Sequence, residues 1–223
     1  RVTRDRPNRM LHLDQERYVI DVLKRFGMFN CKPLSVPMTP GSKVDASVCP
    51  STEEELAALP TYHDLYRQIV GSLSYAALST RPDIIAATMI CAKYGHNPGQ
   101  AHLKAAKRIL RYLSGTRTHR ISYGPNPHTI VGKSGSTLIG LVDSDWASDK
   151  DKRRSTTGFV FYLNGGPVNW KSRLQKCIAQ SSAEAEHIAA SESSKVAVWL
   201  QRLSQSMPSA QPLQEGALVM HCD

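Results

Sequence analysis

LVDSDWASD, residues 141–149, closes an apolar run over 138–142 and sets Asp143 and Asp145 where a strand gives way to its loop. Carboxylates at the end of a strand project into the crevice between sheet and loops rather than into the sheet itself. Downstream, SSAEAEHIAA at residues 181–190 offers Ser181 or Ser182 as a helix cap, with Glu184 and Glu186 in the first turn behind it. The run ALVMHCD at 217–223 is a second strand pattern that ends on an acid, Asp223. Three elements thus each present an acid where a sheet meets its loops.

Around this frame the short β-rich runs 137–142, 158–163, 167–170 and 177–181 precede a long helical pattern over 183–205 and a last strand over 217–222. Strands, then helix, then strand is the order of an α/β layer whose last strand lies beside its first. Upstream the period changes to helical. Tyr18, Val19, Val22, Leu23 and Phe26 recur at helical spacing within 13–28, and further helices are expected over 63–78, 82–94 and 99–113. Between them, 30–60 carries Pro33, Pro37, Pro40, Pro50 and Pro60 among Ser, Thr and Gly, a composition expected to form an irregular connector without helix or central strand. The expected fold class is α/β of the mixed α+β kind: a small helical subdomain, then a mixed sheet with a flanking helix.

The chain of 223 residues has 28 Lys and Arg against 19 Asp and Glu, a net charge of +9, which favours a polyanionic partner. That charge is regional. No acidic residue lies between Asp83 and Asp143, while Lys93, Lys104, Lys107, Arg108, Arg111, Arg117, Arg120 and Lys133 all do. Lys104, Lys107, Arg108 and Arg111 share one helix face, where like charges repel by about 0.2–0.5 kcal/mol per pair unless a polyanion relieves them. The 5 cysteines are scattered and never form CxxC, which argues against a disulfide framework or a zinc site and for a reducing intracellular compartment. There is no signal peptide and no apolar run of membrane-spanning length, so no membrane partner is expected. Arg1 in place of Met, and an end on Asp223 straight after an apolar run, suggest a fragment or processed product.

GxxxxGK[ST], GxGxxG, HExxH and GxSxG are all absent, which removes the common phosphate-loop, dinucleotide, zinc-protease and serine-hydrolase readings. Each acid alone is ordinary chemistry, since Glu suits a helix start and Asp suits a turn. Combined with a cationic segment upstream they suggest hard-oxygen ligands for Mg²⁺ and a phosphodiester substrate. His187 and His221 are read as packed or solvent-facing residues that could still move protons for product release. Trp146, Trp170 and Trp199 could stack bases but are read at these positions as packing residues.

QERYVIDVLKRFGMFNCKPLSVPM (15–38), YRQIVGSLSYAALSTRPDI (66–84), HLKAAKRILRYLSGT (102–116), VDSDWASD, RRSTTGFVFYLNGG (153–166), NWKSRLQ (169–175), SSAEAEHIAA and the terminal HCD follow one another in fixed order. Together they resemble the C-terminal part of copia-type LTR retrotransposon Pol polyproteins: the end of the reverse transcriptase, a connection, and a ribonuclease H. The resemblance implies a division into 1–60, a thumb-like helix and Pro-rich connector; 61–120, a basic helical connection; and 135–223, a ribonuclease H domain truncated at its C-terminus. It implies a mixed five-stranded sheet and Mg²⁺-dependent cutting of RNA in an RNA/DNA hybrid, with two metal ions and Mn²⁺ as a substitute.

Asp143, Glu186 and Asp223 match the family's metal ligands, with Glu184 and Asp145 as further candidates. Glu186 is preferred to Glu184 because two residues and then Ala189 follow it, and Asp145 suits a supporting role better. Lys104, Lys107, Arg108, Arg111, Arg117, Arg153 and Arg154 are the expected nucleic-acid contacts. The implied partners are the hybrid and an upstream reverse transcriptase, in a cytoplasmic virus-like particle or the nucleus. Gln180, His187 and Leu103 depart from the family's usual residues. No YxDD string is present, and the family's sequence beyond the third acid, with a fourth ligand, has no counterpart here. A catalytically inactive hybrid-binding fragment is the alternative reading.

Overall fold

The computed structural model describes residues 1–125, 138–206 and 219–222. The chain divides into two compact units, one of Arg1 with Leu13–Arg120 and the other of Val2–His12 with the described part of Ile121–Asp223.

The first unit is helical: α1 (Glu16–Arg25), α2 (Glu53–Ala58), α3 (Pro60–Ser79), α4 (Ile85–Lys93) and α5 (Gln100–Gly115). Proline opens α3, where its missing N–H costs nothing and its fixed φ already suits a helix. Leu23, Tyr66, Ile69, Leu73, Ile109, Leu110 and Leu113 interlock in one core. The Tyr66 hydroxyl donates to the Cys91 carbonyl at 2.6 Å, and burial pushes it far above its ordinary pKa. The connector over 30–60 is not wholly irregular, contrary to expectation. Thr52 and Glu55 form a reciprocal capping box that starts α2, a signal present in the spelling Thr-Glu-Glu-Glu and outweighed by the surrounding prolines.

In the second unit β4 (Ile139–Asp145), β5 (Thr156–Leu163), β6 (Gly166–Leu174) and β7 (Val219–Cys222) form a sheet of order β6-β5-β4-β7. β5 and β6 run antiparallel to their neighbours, while β7 lies beside β4, as expected of the last strand, and runs parallel to it. Four strands stand among the described residues where the resemblance implied five. α6 (Ser182–Gln205) covers one face, burying Val142, Phe159, Phe161, Ala189 and Ala197. A side chain at Gly140 would place its Cβ 2.7 Å from the Phe161 ring, so only glycine lets β4 lie this close.

The strand expected over 177–181 does not form. β6 instead runs to Leu174, and Gln175 then turns inward, its amide donating to Thr157 Oγ1 at 3.1 Å and to the Ala185 carbonyl at 3.0 Å. With Gln175 only 1% exposed, this strap ends the ladder and fixes the start of α6 to β5. A second sheet of order β1-β2-β3 joins β1 (Val2–Asp5), β2 (Met10–Asp14) and β3 (Arg120–Tyr123). The Tyr123 hydroxyl donates to the Pro167 carbonyl at 2.7 Å.

The helical unit also holds a closed polar network. Arg81, 2% exposed, donates from Nε and Nη2 to Asp83 and from Nη1 and Nη2 to the carbonyl and hydroxyl of Thr116. Tyr112 adds a hydroxyl donor to Asp83 at 2.8 Å. Desolvation pushes the Asp83 carboxyl up, but the hydrogen bonds and charge of Arg81 outweigh it and hold its pKa below the ordinary 3.8. A carboxyl so lowered stabilises the fold above 3.8, and that stability drains as pH falls through its folded value. Asp83→Asn is therefore expected to flatten the acid limb of stability in urea melts between about pH 2 and 6. Arg81→Met is expected to cost about 2 kcal/mol at neutral pH, since it strands Asp83 and the Thr116 carbonyl.

Candidate active site

Along β4, Gly140, Val142 and Ser144 occupy the row that faces α6, while Asp143 and Asp145 emerge exposed at the strand's carboxyl end. Side-chain alternation produces this split. Asp143 lies opposite Gly158 of β5, and Asp145 opposite Thr156.

The two glutamates of α6 do different work. Ser181 caps the helix by accepting from the Glu184 N–H at 3.1 Å, and Glu184 reaches back to accept from the Gln180 N–H at 2.6 Å. Glu184 is thereby occupied in capping. Glu186, half a turn further on, faces the sheet, and its Oε1 accepts both the backbone N–H of Ser144 at 3.1 Å and the Ser144 hydroxyl at 2.6 Å. Its other oxygen, Oε2, is shut from water and has no hydrogen-bond donor among the described residues. A carboxylate oxygen without water or donor calls for a proton or a cation.

Asp223 lies outside the described residues; the pairing of β7 with β4 is described as far as Val142 beside Cys222. Among the described residues no group of three or more His, Cys, Asp or Glu could hold a metal ion. At this corner Glu186 meets Ser144, and Asp143 is the chain neighbour of Ser144 on the other row of β4. Asp143 and Glu186 both offer hard oxygen, the donor type that Mg²⁺ and Mn²⁺ take, and the unanswered Oε2 fits a cation at this corner.

The cations separate as well. Within α5, Lys104 is exposed and Lys107 and Arg108 are half-buried, whereas Arg111 donates from Nε to the Lys32 carbonyl at 2.8 Å. Arg117 sits over the Phe29 ring, 5.2 Å from its centroid, so these last two carry structural contacts. Arg153 is exposed and Arg154 half-buried in the loop after β4. His187 and His221 are exposed. Two tryptophans read as packing residues are not buried: Trp146 is 48% and Trp199 54% exposed. Ser144, Gln175 and Trp146 were not singled out for the site, and only contact across the fold shows their placement.

No protein-family model and no solved structure matches the chain. Its similarities lie among curated proteins. It is 41% identical over 226 residues to the retrovirus-related Pol polyprotein from transposon TNT 1-94 of Nicotiana tabacum, covering 100% of this chain and 16% of that protein. It is 42% identical over 192 residues to the one from transposon RE1 of Arabidopsis thaliana, covering 85% of this chain and 12% of that protein. An uncharacterized mitochondrial protein of Arabidopsis thaliana is 34% identical over 200 residues, covering 90% of this chain and 76% of that protein. The chain thus spans 16% and 12% of the length of the two polyproteins.

The two glutamates are separable by stability in EDTA. Glu184→Ala is expected to lower the unfolding free energy by about 0.5–1 kcal/mol through loss of its capping contact. Glu186→Gln, which keeps an acceptor for both Ser144 donors, is expected not to lower it; chemical denaturation reads both.

Proposed function

The chain belongs to the retrovirus-related Pol polyproteins of transposons, and from that premise we propose that its second unit is their ribonuclease H, cutting the RNA strand of an RNA/DNA hybrid. The observation that carries this reading is Glu186: one carboxylate oxygen fastened to Ser144 of β4, the other buried and unanswered among the described residues. A carboxylate that serves only structure normally has both oxygens satisfied.

In this reading Asp143 and Glu186 hold Mg²⁺, with Asp223 as the third ligand. Bound Mg²⁺ would make a water more acidic than bulk water and neutralise charge on the departing oxygen. The Ser144 N–H and hydroxyl fix the rotation of Glu186, so its free oxygen keeps one orientation through the reaction. Asp145, exposed beyond Ser144, adds negative potential to the same corner. Glu184, committed to the helix cap, takes no part. Lys104, Lys107 and Arg108 bind phosphate, which the acid-free surroundings favour. Discrimination of RNA from DNA rests on the 2′-hydroxyl. Within a virus-like particle or the nucleus, the substrate would come from a reverse transcriptase of the same polyprotein. No described helix is long and apolar enough to cross a membrane.

Cleavage of a labelled RNA/DNA hybrid with Mg²⁺ tests the proposal. Asp143→Asn and Glu186→Gln are expected each to slow it by about 100-fold or more, with Mn²⁺ replacing Mg²⁺ in the parent chain. Equal rates in parent and variants would refute the nuclease reading.

A further inference from the structure

The loop between β4 and β5 carries an exposed tryptophan that is nonetheless held in place. Trp146 follows Asp145 directly, and its indole N–H donates to the Ala179 carbonyl at 3.1 Å. Ala179 is buried two residues before the cap of α6, so the ring is tied to the corner where Glu186 meets Ser144. Trp146 as a residue is still 48% exposed. A tryptophan that only packs loses most of its surface to the core; this one has its indole N–H satisfied and much of its surface open.

The loop behind it is rigidly built. Ala147 sits at φ +51° with its N–H given to Ser155 Oγ at 3.1 Å, and the Ser148 and Thr156 hydroxyls meet at 3.0 Å. The Asp149 N–H reaches the Arg154 carbonyl at 3.0 Å, and the Arg153 N–H returns to the Asp149 carbonyl at 2.7 Å. From this frame Lys150, Lys152 and Arg153 are exposed beside a single exposed acid, Asp151. An exposed tryptophan beside an excess of cations suits a nucleic-acid strand: sugar or base against the ring, phosphates against the charges.

We propose that the β4–β5 loop is a nucleic-acid-binding lip, in which Trp146 packs against a nucleotide next to the acid corner and Lys150, Lys152 and Arg153 hold its flanking phosphates. The proposal rests on the ribonuclease H reading for its ligand, the RNA/DNA hybrid. In this lip Trp146 is a positioning residue: it sets where the strand lies, and the acids do the chemistry.

Binding without metal separates the two claims. Anisotropy of a fluorescent RNA/DNA hybrid is measured against the whole chain in EDTA at several salt concentrations. Trp146→Ala is expected to weaken binding roughly tenfold, and Trp146→Phe, which keeps a ring, to stay within about threefold of the parent. Lys150→Ala with Lys152→Ala is expected to lower the slope of log K against log salt by about 2. A second readout does not depend on how well Trp146→Ala folds. With Trp170 and Trp199 replaced by Phe, Trp146 is the sole indole, and its emission is expected to be quenched on saturation with hybrid.

Unaltered affinity in a folded Trp146→Ala, or unaltered emission of the lone Trp146 at saturation, would overturn the lip. If cleavage survives Asp143→Asn while binding depends on Trp146, the nuclease reading falls and the lip stands. If cleavage requires Asp143 and binding ignores Trp146, the lip alone falls.

Discussion

The contact between Glu186 and Ser144 joins helix to sheet near the carboxyl end of β4. One carboxylate oxygen takes both donors of a single strand residue, so the first turns of α6 cannot slide along β4 without breaking two hydrogen bonds at once. Gln175 repeats the device one strand over, linking β5 to the Ala185 carbonyl in the same turn. Charge-assisted hydrogen bonds are worth more than neutral ones, about 1.5–3 kcal/mol each, so this corner is held more firmly than hydrophobic packing of small residues would hold it. Ala185 and Ala189, the residues that α6 presents nearby, have little surface to contribute. The corner is thus rigid because it is polar, which suits a site whose ligands must not wander.

The two units bury polar groups in contrasting ways. Around Arg81 every nitrogen of the guanidinium finds an acceptor, and Asp83 is answered by Arg81 and Tyr112 together. Such closure is what a purely structural network looks like. At Glu186 the network is left open by one oxygen. Openness alone does not mark a site, for Thr88 Oγ1, the Gln175 carbonyl oxygen and the charged Arg108 Nε are equally unanswered among the described residues. Glu186 is the one acid among them. A neutral hydroxyl or amide oxygen without a partner costs about 1–3 kcal/mol, whereas an ionised carboxylate costs several times as much unless a cation meets it.

Much of the fold was legible because apolar periodicity tracks burial. The α6 pattern, its serine cap and the alternation of β4 and β5 all stand in the residues, as does the return of the last strand to the side of β4. Two short elements were not. The strands Val2–Asp5 and Met10–Asp14 are only 4 and 5 residues long, too short for a clear period, and the second is held on one side by β3, far away in the chain. The apolar run beginning at Cys177 deceived in the opposite direction, since its backbone is used by Trp146 and by the cap of α6 instead of by a ladder.

Around the candidate site, spacing proposes acids but does not give their facing. Glu184 and Glu186 stand two apart, roughly 200° around a helix, so one must point away from whatever the other meets. Which one turns inward depends on the register of α6 against β4, a long-range property that no local window contains. The same limit explains Trp146. A tryptophan beside an apolar strand suggests packing, and only the Ala179 carbonyl, brought close by the turn into α6, shows that the ring is tethered by its N–H while much of the residue stays exposed. Long-range hydrogen bonds to backbone carbonyls therefore separate tethered surface aromatics from buried ones where composition and period treat them alike.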